Sequence, residues 1–291
     1  MESSVILHGL VAGCLYALAG ISLNILYRPT NTFNFAQGDL IMIGAMVCAA
    51  LLGTTTLSWY LCAALSVMLT AGIAYLTYFV AIAPMVKRKH GVGWIISTLS
   101  VSLILQDLAG KLFGPDPRPV SPPPPITTEF HAVGPLEISG YQVMVVLFTV
   151  VMVAATGYFY TRRTGKAINA VAEDREAALL RGIDPNRLSW LSFVVGGVVT
   201  GIIGILAAPM LYASVALSPL LVIKGFEAVA VGGVGSMRGA VLAGCLLGIV
   251  EAVSGALLAP GYQHAATIVV VLGILLVKPS GLVGTTTARA V

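Results

Sequence analysis

Charge is scarce in this chain. Only 10% of its 291 residues are Asp, Glu, Lys or Arg, 57% are hydrophobic, and the mean hydropathy is +0.94. A soluble domain carries about 25% charged residues, and a fold of this size cannot hide so much apolar surface and still cover itself with polar groups. That excludes an ordinary cytosolic enzyme, a disordered chain and a secreted disulfide scaffold, and leaves an integral membrane protein. Cysteine is sparse as well. Cys14, Cys48, Cys62 and Cys245 all lie in apolar runs and none forms a Cys-x-x-Cys pair, so they read as small buried hydrophobes. His8, His90, His131 and His264 are scattered without metal-ligand spacing. No Gly-x-Ser-x-Gly, His-Glu-x-x-His, Gly-x-Gly-x-x-Gly or phosphate-binding Gly-x-x-x-x-Gly-Lys-Ser/Thr motif is present. No catalytic set, metal site or cofactor is therefore expected in the chain, and if the protein uses ATP another subunit binds it.

What the chain does have is apolar sequence of helical length. Apolar runs cover 5–27, 38–53, 57–86, 92–113, 141–160, 189–216, 220–235, 239–258 and 264–278. A membrane-spanning helix needs about 20 residues, so eight or nine segments fit. The runs do not alternate with the period of two that a transmembrane barrel requires. The expectation is an all-α polytopic bundle over 1–291, one membrane domain, with the first run kept as a helix rather than removed as a signal peptide. Small residues at Gly9/Gly13, Gly197/Gly201, Gly235/Gly239 and Gly244/Gly248 have the spacing that lets helices approach closely in lipid.

The net charge of +4 is distributed in a way that speaks of membrane orientation and not of nucleic acid. Lys87, Arg88 and Lys89 follow the third run. Arg162, Arg163, Lys166, Arg175, Arg181 and Arg187 fill the gap before 189–216, and Lys278 and Arg289 close the chain. Short basic loops stay in the cytoplasm, which predicts a cytoplasmic loop at 162–187, a cytoplasmic C-terminus and an N-terminus outside. The segment 114–140 carries Arg118 against Asp116, Glu129 and Glu137, together with eight of the fifteen prolines. It is expected outside, extended and non-helical, as a stiff spacer or a docking surface.

Two stretches interrupt the apolar pattern, Arg28 to Asp39 and Ala230 to Gly239. Broken helices of this kind expose backbone N–H and C=O groups at transporter midplanes, and their placement in both halves hints at an internal repeat. Asn34, Phe35, Gln37, Gly38, Gly232 and Gly233 are therefore candidates for a solute pathway. Lys224, Glu227 and Glu251 sit inside apolar runs, where ionisable residues are functional candidates by default. Lys224 and Glu227 are three apart, share a helix face and can pair, and join the candidate pathway. Glu251 is expected to be protonated or hydrogen-bonded, and Asp39 to cap a helix.

The loop 162–187 reads as a short helix over 166–182, separate from the spans, stopped by Gly182 and by Pro185. Ala167, Val171 and Ala178 fall near one face, with Ala170, Ala177 and Leu180 beside them.

Glu176-Ala177-Ala178-x-x-x-Gly182 resembles the coupling motif of ABC-importer permeases. Further stretches resemble the branched-chain amino acid permeases among them: Asn34-Phe-Ala-Gln-Gly-Asp39, Ala170-Val-Ala-Glu-Asp174, Leu180-x-Gly-Ile183, Val231-Gly-Gly-Val-Gly-Ser-x-x-Gly239 and Val277-Lys-Pro-x-Gly-Leu282. The likeness runs in order over nearly the whole chain and is nearer the shorter of the two permeases such systems pair. It implies a permease subunit in a bacterial inner membrane, importing branched-chain amino acids or a related small organic solute such as urea, an amide or an aromatic acid. It implies a second permease, two cytoplasmic ATPases holding ATP and Mg, and an external solute-binding protein as partners. Glu173, Asp174, Arg175, Glu176, Ala177, Ala178 and Gly182 would meet the ATPase. The proline-rich outer segment departs from the family pattern. The competing classes are weaker on residues alone. A self-contained secondary transporter would need ion coupling, for which Glu227 and Glu251 are thin support, and an intramembrane enzyme would need a nucleophile–base or metal set.

Overall fold

The computed structural model describes residues 2–87, 93–133, 136–258 and 260–284. It is a helical membrane bundle. Among the described residues, seven helices are long and apolar enough to cross a bilayer: Ser4–Thr30, Gln37–Thr54, Trp59–Met85, Gly93–Phe113, Gly140–Thr161, Pro185–Leu211 and Met237–Leu257. In chain order the elements are α1 (Glu2–Thr30), α2 (Gln37–Thr54), α3 (Trp59–Thr77), a π-helical turn (Tyr78–Ile82) running into α4 (Ala83–Lys87), and α5 (Gly93–Phe113). A hairpin of β1 (Phe130–Val133) and β2 (Leu136–Ser139) follows. Then come α6 (Gly140–Thr161), α7 (Arg163–Glu173), α8 (Arg175–Leu180), α9 (Pro185–Leu211), α10 (Leu217–Gly232), α11 (Met237–Leu257) and α12 (Gln263–Val277).

Two apolar runs make shorter helices than a span requires. The 220–235 run lies in α10, of 16 residues, and 264–278 in α12, of 15. At 1.5 Å per residue these reach only about 22–24 Å, against a hydrocarbon core of about 30 Å. The 189–216 run also ends early, because Tyr212 adopts φ 60° and terminates α9. Arg88, Lys89, His90 and Arg289 lie outside the described residues.

By contact density the chain divides into two compact units, Met1–Asn24 with Ile126–Gly157 and Ile223–Val291, and Ile25–Pro125 with Tyr158–Val222. In the second unit α2, α3 and α9 form the core, and glycine permits the approach. A Cβ on Gly44 would stand 2.7 Å from the Gly201 carbonyl, and one on Gly197 would stand 2.6 Å from the Ala74 methyl. The Ser66 hydroxyl donates to the Gly44 carbonyl at 2.6 Å in the same contact. In the first unit α1 lies against α11 through Gly9, Gly13, Gly244 and Gly248, where a Cβ on Gly13 would stand 2.8 Å from the Cys245 Cα. In lipid such contacts rely on van der Waals packing, because burying apolar surface against apolar tails gains nothing.

The proline-rich segment is non-helical through residue 129 and then forms the β1–β2 hairpin, with Phe130 opposite Ser139. That hairpin is absent from the sequence reading, which took proline density to mean extension throughout. Within the second unit, the start of the segment is strapped down. Arg118 exchanges both backbone hydrogen bonds with Ala213, and the Trp59 indole and Tyr60 hydroxyl donate to the carbonyls of Ser121 and Pro124 at 3.0 and 2.6 Å.

Candidate functional site

Three places gather the candidate residues, and each lies within one unit. The first is the loop between α6 and α9. It holds two helices, not one. Asp174 is extended, φ −150° and ψ 109°, and ends α7. Its carboxylate then accepts the Glu176 and Ala177 N–H groups and starts α8. A short acidic side chain competes for backbone donors in this way, favouring a cap over a helix interior. Those two donated bonds hold the Asp174 carboxyl below the ordinary carboxylate range. At the other end Ile183 N–H donates to the Ala178 carbonyl and Gly182 N–H to the Leu179 carbonyl. Together with φ +77° at Gly182, this is a Schellman stop. Pro185 opens the next helix at its first turn, with Asp184 as its cap.

The break redistributes the faces. α7 buries Gly165, Ile168 and Val171, whereas Leu180, grouped by spacing with Ala170 and Ala177, is 90% exposed and Leu179 is 54% exposed. Glu173, Asp174 and Glu176 are exposed and Ala178 is buried. Arg175 turns inward. Its guanidinium donates to the Asn186 side chain at 2.7 Å and to the Pro29 carbonyl at 3.4 Å, and burial lowers its pKa from the ordinary arginine value. Arg28, at the end of α1, donates to Asn169 of α7 at 2.8 Å and lies 4.2 Å from the Tyr160 ring centre. The six-residue α8 is thus tied by side chains to the end of α1 and the start of α9.

The second place is the Asn34–Asp39 break, again in the second unit. Asn34 Oδ1 accepts the Ala36 N–H, and Gln37 N–H donates to the Asn34 carbonyl, a turn that Asn forms with its own backbone. Phe35 stacks on Trp94 with ring centres 6.2 Å apart. Gly38 is required, since a Cβ there would overlap the Ser218 carbonyl. Asp39 does not cap α2, whose N-cap is Ala36 with no side-chain bond. Its side chain points into the bundle at 0% exposure. There Oδ1 accepts from the Ser218 hydroxyl at 2.5 Å and Gln106 Nε2 at 2.9 Å, while Oδ2 has no hydrogen-bond partner.

The third place lies in the first unit. Lys224 Nζ stands 3.2 Å from Glu227 Oε2 and 3.2 Å from Glu251 Oε2, and His264 Nδ1 is 3.3 Å from Glu251 Oε1. The Lys224–Glu227 pairing follows from their spacing. Glu251 proves to be the second partner of the same ammonium, and His264 joins it. No spacing announced that join, because α10, α11 and α12 meet only in three dimensions. Sequence reasoning also missed Asn24. Buried at the Gly232–Gly239 break, it accepts Gly235 N–H and donates to the Ser236 carbonyl. The carbonyls of Val231 and Gly232 accept the N–H groups of Leu282 and Val283, and Gly233, at φ +99°, packs against Gly284. The backbone groups at this break are thereby engaged by the chain's own C-terminal segment. Among the described residues no group of three or more His, Cys, Asp or Glu side chains could hold a metal ion.

The chain has known relatives. The family model described as "Branched-chain amino acid transport system / permease component" matches residues 5–278. The high-affinity branched-chain amino acid transport system permease protein LivH of Salmonella typhimurium is 31% identical over 95% of this chain and 94% of its own length. LivH of Escherichia coli K12 is also 31% identical over the same shares. BraD of Pseudomonas aeruginosa, described in the same terms, is 28% identical over 96% of this chain and 94% of its length. Among solved structures, PsaBC from Streptococcus pneumoniae in complex with Fab matches with a TM-score of 0.51 at 12% identity, over 94% of this chain and 91% of that one, which shows a shared fold. The chain is a multi-pass membrane protein and belongs to the branched-chain amino acid transport permease family.

Proposed function

We propose that the chain is a membrane subunit of an ATP-powered importer that moves branched-chain amino acids, or a closely related small solute, into the cytoplasm. It works beside a second permease. Two cytoplasmic ATPases bind ATP and Mg, and an extracytoplasmic binding protein delivers the solute. The loop 162–187 and the C-terminus face the cytoplasm, and 114–140 faces outward.

The observation that carries this reading is α8. A helix of six residues is too short to persist alone, yet this one is fixed at both ends, by the Asp174 cap and the Gly182 stop. It presents Leu179 and Leu180 outward while its small residue Ala178 is buried. An exposed leucine pair on a capped helix fits insertion into a groove of a partner. Arg175, bound to Asn186 and Pro29, then carries displacement of α8 to the ends of α9 and α1. Closure of the ATPases moves α8, and the bundle alternates its opening between the two sides of the membrane. The chain makes and breaks no covalent bond in this cycle.

Leu180→Glu tests the docking directly. Leu180 is 90% exposed, so the folded permease is unaffected. The co-expressed ATPases are expected to be lost from the purified complex. Undiminished co-purification would refute the assignment of α8.

A further inference from the structure

Asp39 is a buried carboxyl without a counter-charge among the described residues. It sits in the first turn of α2, one of the seven membrane-length helices, with no exposed surface. Among the described residues no Lys, Arg or His forms an ion pair with it. A carboxylate at such a depth is costly unless it is neutralised or paired. Its neighbours are neutral: the Ser218 hydroxyl and the Gln106 amide donate to Oδ1, the Ser102 hydroxyl also interacts with the carboxyl, and the same Gln106 nitrogen donates to Ser102 Oγ at 3.1 Å. Oδ2 is left with no partner. Ser102 and Ser218 are themselves 7% and 2% exposed, and each hydroxyl oxygen retains acceptor capacity. Three elements, α2, α5 and the start of α10, thus bring hydroxyl oxygens to one enclosed carboxyl, whose Oδ2 has no hydrogen-bond partner.

A compact cation with several N–H donors would complete such a site. A primary ammonium carries three, and its bond to a carboxylate is charge-assisted and strong. The lone glycine beside the carboxylate fits the same purpose. Gly38 lets Ser218 close on α2, which holds the Ser218 hydroxyl against Asp39.

We propose that Asp39 receives the α-ammonium group of the amino acid as it crosses the membrane, with Ser102 and Ser218 as supporting acceptors. The proposal rests on reading the chain as an amino-acid permease. The substrate supplies the positive charge that the site lacks. The solute is then recognised at its amino end by the permease itself, and a side chain of any branched shape is tolerated there.

Two measurements on the complete importer test it. In proteoliposomes with the binding protein and L-leucine, Asp39→Asn keeps the side-chain shape and removes the charge. ATP-driven leucine uptake is expected to fall about ten- to a hundredfold; uptake within about twofold of the unaltered complex would overturn the proposal. The second measurement needs no variant. Dicyclohexylcarbodiimide modifies buried carboxyls, and peptide mass spectrometry reads its addition to Asp39. L-leucine and 3-methylbutylamine should slow that addition, and 4-methyl-2-oxopentanoate, which lacks the ammonium, should not. Equal protection by the oxo acid, protection by sodium or potassium chloride instead, or no protection by either amine would each overturn it. If the importer reading itself were wrong, the unaltered chain would bind no ATPases and drive no uptake. A failure confined to Asp39 would leave both intact.

Discussion

Asp39 and Glu227 are both carboxyls in apolar helices, one fully enclosed and the other largely so, and the fold treats them differently. Glu227 and Glu251 share the ammonium of Lys224 at 3.2 Å each, and Lys224 is 3% exposed. That cluster supplies its own counter-ion, and it links α10 to α11, with His264 drawing in α12. Asp39 is held only by neutral donors and keeps an oxygen without a partner. Low dielectric strengthens both the attraction in a pair and the penalty on a group left alone. A self-paired cluster therefore suits a structural joint. An unpaired group suits a visiting cation.

The largest effect expected from this contrast is on stability. Lys224→Met leaves Glu227 and Glu251 without their shared ammonium, and breaking a buried pair costs about 3–5 kcal/mol. The thermal unfolding midpoint of the detergent-solubilised protein should fall sharply, and adding Glu227→Gln and Glu251→Gln should restore much of it. A single variant within about 1 kcal/mol of the original protein would mean that the cluster is not a joint. Next comes Gly182→Val. A side chain at φ +77° costs about 1–2 kcal/mol, confined to the end of α8, so ATPase stimulation should drop while the unfolding midpoint of the spans holds. A matching drop in both would place the strain in the bundle.

A smaller change is expected for Asp39→Asn. It replaces the carboxyl by an amide of the same shape and keeps the contacts to Ser218 and Gln106, so stability should stay within about 1 kcal/mol. A loss as large as that of Lys224→Met would erase the difference between the two sites. The smallest effect belongs to the Asp174 cap. Its native pKa is lowered, so its contribution is fully present above the ordinary carboxylate pKa. It is lost as pH falls through the lowered native value. Protection of the Glu176 and Ala177 amides, taken relative to intrinsic exchange at each pH, should fall on that acid limb, and should not do so in Asp174→Asn, whose neutral cap persists. Identical acid limbs in both proteins would remove the ionised cap from the account.

Much of this was legible along the chain and some was not. Composition and run length give the membrane bundle, and i, i+3 spacing gives the Lys224–Glu227 pair. Gly182 announces its left-handed stop. The split of the coupling segment at Asp174 was hidden, because its residues are good helix formers on both sides and only the backbone bonds to Glu176 and Ala177 reveal the restart. Asp39 looks like a dipole-favouring first-turn acid until Ser218, 179 residues away, is found against it. The partners of Glu251 likewise come from separate helices. Patterns of local period carry local structure. Contacts between distant helices in lipid leave no such pattern, since small residues and apolar ones fill every face.

The most direct test of the central claim, a passive membrane subunit driven by partner ATPases, is leucine uptake into proteoliposomes holding this chain with and without those ATPases. The account predicts uptake only with the ATPases present, ATP supplied and Leu180 intact. ATP-independent accumulation of leucine by the membrane subunits alone would contradict it.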